Sequence, residues 1–375
     1  MASNGRRAAI LSLQYSYAQG SHMVGLAKLL RKLGFDTTFV LDQRYLRCEM
    51  FSAIGKTESA GGFRRRPGAE TFDLAFICNS ATENYSLARF LRQRGTVVLY
   101  VFHEPEPIWN WRLPRLEGWG KTGRFLVSSY CSIRTLREAD GVIVCSSYAR
   151  SLYERAYKRF NSNVTAMPLL FEDEIGDARF EQMRRTKTCL GFIGTACKAH
   201  GFADFIALAK YAVREGTSIP FIIATGVDLT AMLRADGELA RSVREKKIEV
   251  HHGRELSNDE INEYYLRCFC VWNVYRRSTQ SGVLPRAFMA GSPVLASRIG
   301  SFPEYVREGV TGEFVDSGED PAAILAVAEK MRDRSVEYAD RCRECFTDTF
   351  YYGANLNQVT EIIARSSARA SRRAT

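Results

Sequence analysis

Thr279, Gln280, Ser281 and Gly282 form a small polar turn between the apolar run CVWNVY (residues 270–275) and a segment with Pro285 near its start and Gly291 just past its end. Pro in a first turn and Gly beyond a last one are the placements helix geometry favours, so a helix is predicted over about 284–290. The N-terminus of a helix carries N–H groups without intrahelical partners, and such groups attract anions. The turn therefore reads as a phosphate-sized pocket of backbone amides. A second candidate is His103, an acid/base-capable side chain at the end of the apolar run TVVLYVF, followed by Glu104 and Pro105. Trp109, Trp111 and Trp119 share a proline-rich loop with Pro107 and Pro114, and indole faces stack on sugars. Gln19, Gly20 and Ser21 precede the first helical pattern, where a Gly lets backbone approach a ligand closely.

The elements that must position these groups alternate in type. Apolar runs at 8–13, 37–41, 72–78, 96–102, 141–145 and 164–168 are predicted strands, and the amphipathic run 23–33, closed by Gly34, is a predicted helix. After a charged stretch poor in apolar residues, the alternation restarts with strands at 189–195, 220–226, 247–253, 268–275 and 293–297. Ser257 followed by Glu260 is a capping-box start for the helix NDEINEYYLR. Continuous apolar strands with intervening helices specify parallel sheets covered on both faces. The expected fold class is therefore α/β, with two doubly wound parallel-sheet, Rossmann-like domains. Ligands of such sheets bind at the carboxyl ends of the strands, which places Gly20, His103, Gly194, Gly226, Gly253 and Gln280 around one expected cleft.

The chain of 375 residues is long enough for two cores, and 46% hydrophobic with 25% charged residues is an ordinary globular composition. No apolar run is long enough to span a bilayer, and the N-terminal segment lacks the pattern of a secretory signal. Ten scattered cysteines suit reduced thiols in a cytosolic protein, and the lone C-x-x-C at Cys342 and Cys345 has no nearby His to complete a zinc site. No metal site is expected. A net charge of +10 favours acidic partners. Part of it lies in Arg64, Arg65 and Arg66 and in the tail ARSSARASRRAT, which has no apolar period. Aromatic residues are not interleaved with these runs, so nucleic acid is not an expected partner.

The segment GSPVLASRIGSFPEYVREGVTGEF (residues 291–314) resembles the C-terminal signature of glycosyltransferase family 4, a retaining family with the GT-B fold. The preceding YRRSTQSGV (275–283) is similar to the variant in which a Thr-Gln-Ser-Gly turn follows a Tyr-Arg pair. The resemblance covers most of the chain: GFIGTACKAHGFADFIALA (191–209), VHHGREL (250–256), FHEP (102–105), ADGVIVCS (139–146) and the closing NLNQVTEIIARS from Asn355 all take part.

The resemblance implies transfer of a hexosyl-type sugar from a nucleotide-sugar donor to a glycan or lipid-linked glycan acceptor. Anomeric configuration would be retained and neither metal nor other cofactor needed, in surface polysaccharide or glycoconjugate biosynthesis. It further implies an N-terminal acceptor-side domain (1–171), a linker (172–188), a nucleotide-sugar-binding domain (189–346), a crossover helix (347–367) and a disordered basic tail (368–375). Catalytic roles fall on His103, Gln280 and Arg276. Donor and phosphate contacts fall on Gly20, Gly194, Thr195, Lys198, His200, Thr279, Ser281, Gly282 and Val283, and acceptor contacts on Glu104, Trp109 and Trp111. The family's two glutamates fall here on Ser278 and Arg286, and its basic pair on Thr195 and His200. Those departures leave open a nucleotide-sugar hydrolase or epimerase on the same fold, or an inactive nucleotide-sugar or glycan-binding protein. The expected setting is cytoplasmic, with peripheral contact to an anionic inner membrane face.

Overall fold

The computed structural model describes residues 5–16, 19–65, 71–105 and 119–374. Trp109, Trp111 and Arg66 lie outside them. The chain divides into one unit of Met1–Glu172 with Phe350–Thr375, and a second of Asp173–Thr349.

In the first unit, strands β1 (Arg6–Ser12), β2 (Phe35–Leu41), β3 (Lys56–Ser59), β4 (Leu74–Cys78), β5 (Val97–Val101), β6 (Gly141–Val144) and β7 (Val164–Ala166) form one sheet in the order β3-β2-β1-β4-β5-β6-β7. Every pairing is parallel. β4 and β6 are buried along their whole length, as their unbroken apolar sequences require. β3, KTES, is a polar edge strand that no apolar run announces.

The second unit holds β8 (Cys189–Ile193), β9 (Phe221–Ala224), β10 (Ile248–His251), β11 (Cys268–Asn273), β12 (Val294–Ala296) and β13 (Gly312–Phe314), again all parallel, in the order β10-β9-β8-β11-β12-β13. The fold class is thus the expected one, two parallel α/β sheets. Ser257 and Glu260 form the full capping box at the start of the helix Asn258–Arg267. Among the described residues, no helix is long and apolar enough to cross a membrane.

Two expectations about the connecting segments need correction. Residues 172–188 are not a plain linker, since they carry the helix Gly176–Met183, counted with the second unit. Its charges make specific bonds: Arg343, almost wholly buried, holds both Asp173 and Asp177, and Arg184 meets Asp340 at 2.6 Å. The residues from 368 onward are not disordered either, because the helix Leu356–Ala374 continues through them. Val359, Ile362 and Ser366 are buried against the first unit, Arg369 donates to Asn161 at 2.5 Å, and Arg373 lies 3.5 Å from the buried Asp140. Each arginine thereby gains a fixed acceptor, which a sequence without apolar period does not advertise.

Lys187 is the most deeply buried cation of the second unit. Its Nζ donates to the carbonyls of Tyr265 and Leu266, at the end of the helix Asn258–Arg267, and to Ser292 Oγ at 3.0 Å. It thus serves helix-terminal carbonyls that lack partners. Burial lowers its pKa to about 8. Between about pH 8 and the ordinary lysine value near 10.4, the unfolded chain binds this proton and the folded chain does not, so this residue adds stability as pH rises through that window. Urea melts at pH 8 and pH 10 are expected to show a smaller pH 10 to pH 8 stability difference in Lys187→Met than in the parent; equal differences would remove Lys187 from that role.

Candidate functional site

Two strand-end loops of the second unit are joined side by side. The loop after β8 carries Gly194, Thr195, Lys198 and His200, and the loop after β11 carries Tyr275 to Val283. Arg276 N–H donates to the Ala199 carbonyl at 2.8 Å. The His200 ring stacks on Tyr275 with centroids 4.3 Å apart, and its Nδ1 lies 2.9 Å from the Thr195 carbonyl oxygen. A side chain at Gly194 would press on Val283 Cγ2 at 3.4 Å. The structure therefore brings Gly194, Thr195, Lys198, His200, Arg276, Thr279, Gln280, Ser281, Gly282 and Val283 together at the carboxyl edge of one sheet, where ligands of such sheets bind.

Inside the turn, the bonds divide the amides into used and unused. Ser278 Oγ donates to the Gln280 carbonyl at 2.6 Å, and Ser281 Oγ accepts from Val283 N–H at 3.2 Å. The Val283 amide, expected in the anion pocket, is thus already bonded, because a serine two residues upstream of a helix start folds back on it. Among the described residues the amides of Ser281 and Gly282 meet no acceptor. Thr279 is buried, and its hydroxyl finds no partner among those residues. Buried Tyr275, pushed up to about pKa 12 by desolvation, stays protonated beneath the turn. The helix that follows, Val283–Met289, starts and ends within a residue of the predicted span.

The expected cations differ in their freedom. Lys198 is exposed and forms no ion pair among the described residues. Arg276 instead lies 2.9 and 3.0 Å from the two oxygens of Asp204, which also accepts from Ser317 Oγ at 2.9 Å. Arg286, where the resemblance set a glutamate of the family, donates to Asn258 at 2.8 Å and lies 3.8 Å from Glu174, whose carboxylate also accepts from Asn262 at 2.9 Å. Nothing in the sequence marks Asp204 and Glu174. Their partners stand 72 and more residues away, and no local pattern links them.

In the first unit, Gly20 opens the buried N-terminal turn of the helix Gly20–Lys32, and His103 is buried just past β5. Cys145 Sγ lies 3.3 Å from His103 Nδ1. His22, which no sequence motif marks, packs edge-on to His103 with ring centroids 5.6 Å apart. Its Nδ1 accepts from Leu170 N–H at 2.8 Å, and burial lowers its pKa to about 4. Glu104 is exposed, so of the expected acceptor residues only it can be placed. Among the described residues, no three His, Cys, Asp or Glu side chains gather as metal ligands.

Known proteins share the fold and, in part, the sequence. Residues 187–333 match the family of glycosyl transferases group 1. That span lies within the second unit and contains both joined loops. No curated protein matches the chain in sequence. Solved structures do match in fold over nearly the whole length. Anabaena Alr3699/HepE, solved in complex with UDP, aligns with a TM-score of 0.69 at 15% identity, covering 96% of this chain and 99% of that one. TarM aligns at 0.70 and 8% identity, over 96% and 98%. The catalytic domain of starch synthase IV from Arabidopsis thaliana, bound to ADP and acarbose, aligns at 0.66 and 9% identity, over 98% and 100%. At these identities the likeness establishes the fold, which is GT-B.

Proposed function

We propose that the protein is a retaining, metal-independent glycosyltransferase of family 4, in the variant with a Thr-Gln-Ser-Gly turn. It moves a hexosyl unit from a nucleotide-sugar donor to a glycan or lipid-linked glycan acceptor. The observation that carries this reading is the coincidence of the family match with the two joined loops of the second unit. A departing nucleoside diphosphate gathers negative charge, and preorganised amides and cations stabilise it without reorganisation. The Ser281 and Gly282 amides and Lys198 are the groups for that charge, with Arg276 held beside them by Asp204. Gln280 serves the sugar, His103 a sugar oxygen, and the region of Glu104, Trp109 and Trp111 the acceptor. Nucleotides seen in similarly folded proteins, UDP with Alr3699/HepE and ADP with starch synthase IV, favour a nucleoside diphosphate here. The net charge of +10 suits work against an anionic inner membrane face on the cytoplasmic side.

The test is a thermal-shift screen of UDP, ADP and GDP with their sugars. A ligand at a hundred times its Kd raises stability by about 2.7 kcal/mol, a shift of several degrees for one of the set. No shift with any of them would sink the reading. One observation favours a second reading: Ser278 and Arg286 stand where the family has carboxylates, and Arg286 is committed to Asn258 and Glu174. Release of free sugar from the donor without any acceptor would mark a hydrolase, and binding without turnover a binding protein.

A further inference from the structure

The first unit holds a cavity of about 470 Å³ that the proposed reaction does not use. Its volume is that of a small-molecule site, for which roughly 300–1,000 Å³ is usual. It opens just beyond the carboxyl ends of β2 and β3, where Leu41 and Ser59 stand opposite each other in register. Ligands of parallel sheets bind along that edge. β2 stands three places from β5 in the sheet order, so the cavity lies about 14 Å along the edge from the strand that leads to His103.

The wall is polar, and its charge is matched. Gln43, Gly61 and Gly62 are exposed there and Ser59 is half-buried. The Gln43 carboxamide bonds to no other described residue, and Ser59 Oγ accepts from Gly62 N–H at 3.1 Å while keeping its own proton to donate. Asp42 is the one charged side chain among the described lining residues, and it is committed within the protein. Its Oδ1 accepts from Arg44 N–H at 2.9 Å and Nε at 3.0 Å, and its Oδ2 accepts from Nη2 at 3.1 Å. The Arg44 guanidinium lies over the Tyr15 ring, 4.8 Å from its centroid, so the pair forms a fixed, neutral rim. Leu41 is 1% exposed, which leaves a lipid chain little apolar surface, and a phosphate would find no unmatched charge. The cavity offers a carboxamide and a hydroxyl, donors and acceptors together, behind a mouth that two glycines leave open. That is the chemistry that recognises a neutral polyol.

We infer that this cavity is a distal subsite for the acceptor glycan, in which Gln43 and Ser59 hold a neutral sugar unit remote from the reacting end. The inference rests on the reading of the protein as a glycosyltransferase with its acceptor on the first unit, and it narrows that acceptor to an oligosaccharide several units long. A unit held so far from the reacting end adds affinity for long acceptors and takes no part in bond making.

The probes are neutral tetrasaccharides of glucose, galactose, mannose and N-acetylglucosamine, with the four monosaccharides beside them, titrated into the full chain by saturation-transfer NMR. One tetrasaccharide or more is expected to bind at least about tenfold tighter than its monosaccharide. Gln43→Ala, at an exposed position, is expected to weaken that binding about fivefold, as the loss of one hydrogen bond does. Gly61→Leu, which fills the mouth, is expected to weaken it about tenfold or more. Both variants should melt near the parent and keep its thermal shift with a nucleoside diphosphate. Failure of every tetrasaccharide to bind, or equal affinity in the parent and both variants, overturns the inference while the nucleotide shift stands. A parent without any nucleotide shift instead overturns the glycosyltransferase reading, and tetrasaccharide binding that both variants weaken would still assign the cavity to a glycan.

Discussion

Replacement of His103 by leucine is expected to lower sugar-transfer turnover about a hundredfold while the protein stays folded. Loss of one preorganised donor to a charge-bearing oxygen costs on the order of 10²–10³ in kcat. Leucine has comparable bulk and no ring N–H, so it fills the buried space past β5 and removes only the donor. Glutamine places an amide nitrogen where Nε2 stood and should recover part of the loss. Initial rates with the donor identified by thermal shift, paired with melting temperatures, give the answer. A His103→Leu protein that melts near the parent and turns over within threefold of it takes His103 out of the reaction.

Gly300→Ala is expected to cost about 2–3 kcal/mol of stability and at least tenfold in nucleotide affinity. Gly300 has φ of +57°, and a Cβ there would stand 2.1 Å from the Ser278 carbonyl oxygen. That atom is backbone and cannot swing aside. It belongs to the turn that continues into Thr279 and Gln280, so relief of the clash displaces the amides proposed to hold the diphosphate. Gly318→Ala is the control, because Gly318 has φ of +84° with open space around it and should lose only about 1 kcal/mol of backbone strain. Urea melts and UDP titrations of both variants separate the clash from the strain. Equal losses in the two would show that the Gly300 contact yields.

Strands buried on both faces were legible in the sequence because their apolar runs need no partner to be seen, as in LAFIC and GVIV. The two strands that went unforeseen lie at sheet edges. KTES is polar, and GEF is three residues long. Charge misled in two places. The 172–188 segment and the arginine-rich tail have the composition of solvated chain, yet Asp173, Asp177, Arg369 and Arg373 each meet a specific partner far along the sequence. The same limit applies to the candidate site. Its turn could be read from Gly282, Pro285 and Gly291, since turn chemistry is local. The contacts that set its charges join residues 72 to 112 positions apart, and spacing carries no trace of them.

The closing helix Leu356–Ala374 also orders events in time. The first unit is discontinuous in sequence, and Asp173–Thr349 is inserted whole between its two parts. A ribosome therefore delivers all of the second unit before it supplies the residues that cover Asp140 and Asn161. Until then the first sheet carries a buried carboxylate without its arginine and an apolar face without Val359 and Ile362. The portion made first is thus finished last, and the interval between is when this chain has most need of a chaperone.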